Sequence, residues 1–440
     1  MSIEEIAAEA YIFAYPLIVS YGFLYSANLD AQSPAYVGLN NLHHYRELSK
    51  PGSPHLNAIP WGNTDTPYSA ALVDLRAEPF VLVVPEMAAH RFQDAQFLDL
   101  FTHNFAIRGT RTGGNGAATY LVAGPDWQGS VPAGIDEVLR CETQFAKLVT
   151  RIALENTEDF AEIEKLEDRY VLQPLSAWLG QQPPAAAQLD FPKPPTRLFE
   201  AKSPEFIPYL NFLLTLCPPH PNEADLLAHF ARIGIGPGRP FDANALDSKT
   251  KAEIQAGIDA AFAKIEARTN WLADPVNGWK YPLDLRGDRA LMASGGEALF
   301  NRAVAAKYAI WGPSAEEVVY MVVDQDAEGR PLDGTAASYT MRFDQAPPAH
   351  GFWSFTVYDA KTRLLVEHPS GRHALRDRYP KPKFDPDGSL NVEISHAAPH
   401  DEDANWLPAP ERPFQIVARL FWPDASVLNG SFKPPAIYRK

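Results

Sequence analysis

"PWGNTDTPYSAALVDL" occupies residues 60–75. Five hydrogen-bonding side chains, Asn63, Asp65, Thr66, Tyr68 and Ser69, crowd around Pro67 before the chain turns apolar. The segment reads as a polar turn opening into a strand. An Asx turn needs one such residue, and both Asn63 and Asp65 can serve it. The alternative is that Asp65 and Tyr68 project into a cleft as acid/base or substrate-anchoring groups.

Outward from this turn, "FVLVVPE", "RFQDAQFLDLFTHNFAI" and "AATYLVAGP" alternate or run apolar between Gly, Pro and Asn clusters. The gaps are too short for crossover helices, so antiparallel strands and a β-sandwich are expected. With an N-terminal helix this makes a first domain over residues 1–135. Residues 136–290 change character: "DEVLRCETQFAKLVTRIAL", "NEADLLAHFARIGI" and "SKTKAEIQAGIDAAFAKIEA" carry apolar residues at helical spacing, predicting a helical region. Residues 291–440 turn β again, with "EEVVYMVVDQD", "GFWSFTVYD" and "FQIVARLFWP" among about eight short strands. A jelly-roll or similar sandwich is expected there.

The chain has 440 residues, a formal charge of −15 and a pI near 5.3. Such a surface disfavours nucleic acid and anionic lipid as partners. Two cysteines, Cys141 and Cys217, exclude a disulfide framework and fit a reducing, cytoplasmic setting. Residues 10–29 carry no charge and approach the length of a membrane span. Glu4, Glu5 and Glu9 precede them where a secretory signal would be basic, and Ser2 with Glu5 forms a capping box. A core helix with a tyrosine stripe (Tyr11, Tyr15, Tyr21, Tyr25) is the reading.

Asp99 lies between Phe97 and Phe101, which a strand would place on the same face. It is either paired with Arg108 or Arg111 on the next strand or held in a site. His396 and His400 with Asp401, Glu402 and Asp403 invite a metal reading, but Pro399 opposes the helix that would align the histidines. An acidic loop is expected, with no metal and no cofactor. Cys141 reads as inert helix core. Trp353, Tyr358 and Trp406, with Asn405 and Arg372 nearby, form either sandwich core or a platform for a sugar or aromatic ligand.

Several blocks together resemble a bacterial two-part family of paired domains of unknown function. In the first half they are "AYIFAYPLI", "GNTDTPYS", "DLRAEPFVLVVP", "QFLD" and "RTGG". In the second they are "DQDAEGRPLDG", "PPAHGFWSFTVYD", "GRHALRDR" and "NWLPAP". The resemblance implies an immunoglobulin-like antiparallel β-sandwich, a helical middle region and a C-terminal jelly-roll, but no settled reaction. It draws interest to Asn63, Asp65, Thr66, Tyr68, Asp99, Arg111, Trp353, Tyr358, Arg372, Asn405 and Trp406. Gly114 after Gly113, and Gly371 before Arg372, depart from its pattern.

The leading expectation is a metal-independent hydrolase, lyase or isomerase acting on a small organic molecule between the two sandwiches. Asp65 or Asp99 would be the acid/base, Tyr68 a proton donor or anchor, and Arg111 an anion or carbonyl clamp. Asn63, Thr66, Trp353, Tyr358, Arg372, Asn405 and Trp406 would bind substrate. The competing expectation is a non-catalytic binder of a saccharide or aromatic metabolite. A structural or assembly role, with a homo-oligomer, is the third.

Overall fold

Ser2 opens the first helix, Ile3–Leu24, as its capping box demands. Its hydroxyl accepts from the Glu5 N–H at 3.1 Å, and its own N–H donates to the Glu5 carboxylate at 2.7 Å. The helix is apolar on nearly every side, and such a helix is stable only when surrounded. It packs against the helices Phe206–Leu213, Ser248–Asn270 and Gly296–Ala309. With the turn that follows, it is long and apolar enough to cross a membrane, yet 83% of its apolar window is buried within the protein. Three tyrosines of the stripe find partners at Pro192 and Glu200. Tyr11 donates to the Glu200 carbonyl, Tyr15 to the Glu200 carboxylate and Tyr21 to the Pro192 carbonyl, each at 2.7 Å. Each phenol thus keeps an apolar body in the core and a satisfied polar tip.

The computed structural model describes residues 1–52, 60–156, 158–184, 187–196, 199–270, 274–281, 289–293, 295–401 and 404–440. Four sheets accompany the helices among these residues. In the first, His43–His44, Tyr68–Asp74, Phe145–Ile152, Gln93–Leu98 and Asn104–Gly109 lie side by side, all antiparallel. The second runs Glu137–Arg140, Ala118–Ala123, Phe80–Val84, Val171–Pro174 and is mixed. Val73, Phe97 and Leu148 from the first share one core with Leu82, Val122 and Leu139 from the second. The C-terminal half repeats the plan. One sheet orders Trp279–Lys280, Val318–Val323, Phe414–Pro423, Ala349–Asp359 and Ala374–Arg376. Its partner orders Asn405–Pro408, Leu390–Ser395, Tyr339–Phe343 and Tyr438–Arg439. Met321, Phe355 and Ile416 meet Met341, Val392 and Leu407 between them. The architecture is multidomain α and β, with antiparallel and mixed sheets.

Two sequence expectations are corrected here. Residues 136–154 form strands rather than a helix, and Phe145–Ile152 is the middle strand of the first sheet. Its apolar spacing fits period two as well as 3.6, and Val149, Thr150 and Ile152 are β-branched, so pairing on both edges decides the matter. Residues 296–309, expected within the C-terminal β region, are a helix that joins the core of the first helix.

The crossing of Ile3–Leu24 over Ser248–Asn270 depends on Gly257. A Cβ there would stand 2.3 Å from the Glu4 carbonyl oxygen and 2.9 Å from the Ala7 Cβ. Gly257→Ala should therefore destabilise the protein by about 1–3 kcal/mol despite alanine's better helix propensity, as read by urea unfolding.

Candidate functional site

The polar cluster of the opening segment turns out to be a joint between the two halves. Asp65 is wholly buried. One carboxylate oxygen accepts from Arg376 Nε at 3.0 Å and the other from Ser354 Oγ at 2.6 Å. Arg376 Nη2 also donates to the Thr64 carbonyl at 2.9 Å. Asn63 makes the Asx turn: its Oδ1 accepts from the Asp65 N–H at 2.7 Å, while its Nδ2 donates to Thr66 Oγ1 at 2.7 Å. Just upstream, Arg419 Nη2 donates to the Trp61 carbonyl at 2.5 Å and to the Tyr358 hydroxyl at 2.8 Å, and Tyr358 donates to the Gly62 carbonyl at 2.6 Å. Trp61 is held with φ at +56°, a left-handed conformation costly for a bulky side chain, by these bonds and by its N–H to the Arg363 carbonyl at 2.9 Å.

The joint forms one wall of a cavity of about 190 Å³ between the first sheet, the first C-terminal sheet and the helices. Phe23, Trp61, Tyr68, Tyr308, Trp311 and Tyr320 give it aromatic walls. Lys147 and Arg151 are the two charged side chains lining it among the described residues. Both point the same way because they sit four apart on one strand. Their circumstances differ sharply. Arg151 donates to Asp94 Oδ1 at 2.8 Å and to Gln96 Oε1 at 2.5 Å, with its guanidinium over the Tyr68 ring. Burial opposes the Arg151 charge, but the Asp94 carboxylate outweighs it and holds the guanidinium above its ordinary value. Lys147 has neither hydrogen bond nor carboxylate among the described residues, and its Nζ lies 5.0 Å from the Trp311 ring centroid. It is 6% exposed, and burial pushes its amine down to about 8. Behind Arg151, Arg111 Nε donates to Glu317 at 2.6 Å. Burial and the nearby Asp94 charge push the Glu317 carboxyl up to about 7.

The four expected catalytic residues do not converge. Tyr68 lines the cavity, Arg111 stands behind it with Glu317, and Asp65 is consumed in the joint. Asp99 lies beyond the end of its strand, not on one face with Phe97 and Phe101. It closes a turn, accepting from the His103 N–H at 2.8 Å and facing His103 Nδ1 at 3.2 Å. Neither arginine pairs with it, since Arg108 donates to Glu137 at 2.7 Å. Of the expected binding residues, Asn63 lines the cavity, Thr66 completes the Asx turn and Tyr358 belongs to the joint. Trp353 and Trp406 are buried at 4% and 9% exposure, the Trp406 indole donating to the Ser395 carbonyl at 3.0 Å, so they offer no common groove. Asn405 ties residues 383 and 391 together, and Arg372 borders a second cavity. His396 Nδ1 is 3.1 Å from the Ala409 carbonyl. No metal-binding cluster occurs among the described residues; Glu402 and Asp403 lie outside them. Cys141 lies between strands, not in a helix, and burial pushes its thiol up to about 12.

Sequence reasoning missed Lys147 and Arg151. Read as a strand, "FAKLVTRI" would have set both on one face around Val149, a charged pair on an otherwise apolar element.

Two families of unknown function match the chain. Residues 39–174 match the one described as "Protein of unknown function (DUF1254)", and residues 317–425 match "Protein of unknown function (DUF1214)". The matches agree with a chain built from two parts. The crystal structure of the VPA0106 protein from Vibrio parahaemolyticus is similar over 100% of both chains, with 26% identity and a TM-score of 0.79. An uncharacterised protein from Burkholderia cenocepacia aligns over 97% of this chain and 87% of its own at 10% identity, with a TM-score of 0.46. No curated protein matches.

Two measurements test this geometry. Asp65→Leu and Arg376→Met should each cost about 3–5 kcal/mol in urea unfolding, whereas the double variant should cost much less than their sum. Lys147→Met should stabilise the protein by roughly 3 kcal/mol below pH 8, where the folded state must bury a charge that the unfolded chain leaves in water. From pH 8 towards the ordinary lysine value of 10.5, wild type itself gains stability because its unfolded state binds more protons, so the difference should vanish.

Proposed function

We propose that the cavity of about 190 Å³ is the active site of an enzyme acting on a small carbonyl compound, with Lys147 as the reacting amine. The observation that carries this is a lysine amine with neither hydrogen bond nor carboxylate among the described residues, facing an aromatic-walled space. An amine brought down to about 8 by burial is partly neutral, hence nucleophilic, near neutral pH. Its lone pair would attack the carbonyl carbon. The carbonyl oxygen takes one proton from the attacking nitrogen and a second from an acid and leaves as water, and the iminium so formed acidifies the neighbouring C–H. Water then reverses the linkage. Tyr68, which lines the cavity, would supply the acid's proton, and Arg151 would hold a substrate oxygen. Lyase or isomerase chemistry next to a carbonyl suits this set better than hydrolysis, and no step requires a metal. A cavity of 150 Å³ has room for benzene, so a single-ring or branched aliphatic substrate fits the aromatic walls.

A binding-only role in the same cavity is the second reading, favoured by its rings rather than by Trp353 or Trp406. In keeping with the sequence resemblance, the paired sheets are read as an immunoglobulin-like sandwich and a jelly-roll, and the setting as cytoplasmic.

Incubation with benzaldehyde and cyanoborohydride near neutral pH, followed by peptide mass mapping, tests the proposal. Lys147 should be alkylated ahead of exposed lysines, and the rate should rise as pH passes 8. Labelling of Lys147 no faster than that of exposed lysines would refute a reactive amine and leave the binding-only reading.

A further inference from the structure

We propose that a second cavity, of about 640 Å³, is an oxyanion site in which Arg372 grips a carboxylate or phosphate group. It lies between residues 46–50 of the N-terminal half and the segments 371–376 and 379–380 of the C-terminal half. In a chain of net charge −15, this wall gathers Arg46, Lys50, Arg372 and Arg376. Three of the four are answered by carboxylates. Arg376 is bound to Asp65, Arg46 bonds Asp168 and faces Glu167, and Lys50 stands 3.7 Å from Glu47.

Arg372 has no carboxylate partner among the described residues. Its Nη2 donates to the Trp406 carbonyl at 3.0 Å, and its guanidinium lies 5.4 Å from the centroid of that residue's ring. These contacts orient the planar guanidinium and use one of the two Nη2 hydrogens, leaving the other to pair with Nε or Nη1 in two-point recognition of an oxyanion. His373 beside it lines the same cavity, and burial with Arg376 holds its imidazole neutral, down at about 4. It adds a polar ring without charge. Glu164, on the same wall, favours a compact anion over an extended polyanion.

Ser49 lines both cavities, so the two adjoin along residues 45–50. Resting on the reading of Lys147, this gives the substrate class: an apolar carbonyl compound carrying a carboxylate or phosphate arm. The oxyanion site itself does not depend on that reading.

Titrations of the full-length protein with inorganic phosphate and with acetate at low salt, followed by calorimetry, supply the test. Wild type should bind at least one of them, and which one binds tells a phosphate arm from a carboxylate arm. Arg372→Gln should weaken binding about tenfold or more, while Lys147→Met leaves it unchanged. Thermal melts must show each variant folded. If Arg372→Gln is not, Arg372→Lys, which keeps the charge, should lose acetate affinity more than phosphate affinity. Failure of wild type to bind either anion, or equal binding by a folded Arg372→Gln, or no difference in Arg372→Lys, would overturn the site. None of these outcomes bears on alkylation of Lys147, which stands or falls separately.

Discussion

The Asp65 carboxylate, gripped by Arg376 and Ser354 from the other half of the chain, is the interaction on which the site depends. A fully buried charge is tolerable only when every lone pair that counts is answered, and here both oxygens are. Arg376 extends the grip to the Thr64 carbonyl, while Arg419 and Tyr358 hold the carbonyls of Trp61 and Gly62. Three of the four carbonyls in residues 61–64 are thereby held by strands of the C-terminal sheet. A rigid cavity wall results, made of backbone that would otherwise be a loop over solvent.

Against this densely bonded joint, Lys147 is the contrast. Its neighbour two turns of the pleat away, Arg151, is tied to Asp94 and Gln96, but Lys147 meets the Trp311 ring instead of an anion. Cation–π contact recovers only part of the hydration lost on burial. The fold therefore carries an energetic burden at this position that a methionine would remove. Burdens of this kind persist where function uses them, which is the physical reason for weighing an unpaired amine above the better-bonded aspartates.

Features governed by local chemistry were legible in the sequence. The Ser2–Glu5 cap, the core helix, the Asx turn at Asn63 and most strands of both halves follow from residues a few positions apart. What failed depended on partners far along the chain. "FAKLVTRI" is ambiguous between helix and strand until Tyr68–Asp74 and Gln93–Leu98 flank it. Read as a helix, Lys147 and Arg151 at i, i+4 share what looks like a solvated face, so nothing marked them as buried. Asp65 drew notice for the right cluster, yet its role is set by Ser354 and Arg376, about three hundred residues onward, which no local pattern reveals. Trp353 and Trp406 looked like a platform because aromatic composition is the same in a groove and in a core.

The long reach of the joint also orders events in time. A ribosome releases the N-terminal sheets first, and the buried residues of their shared core around Val73, Phe97 and Leu148 come from positions 71–170, with Tyr379 packed against it from the other half. The wall at Trp61 and Gly62 is different, because its carbonyls wait for Tyr358 and Arg419. Until those residues emerge, Trp61 has no reason to hold its left-handed backbone, and the cavity has no floor. The chamber containing the uncompensated lysine is thus among the last parts of the molecule to close, and a nascent or truncated chain keeps that amine hydrated and ordinary.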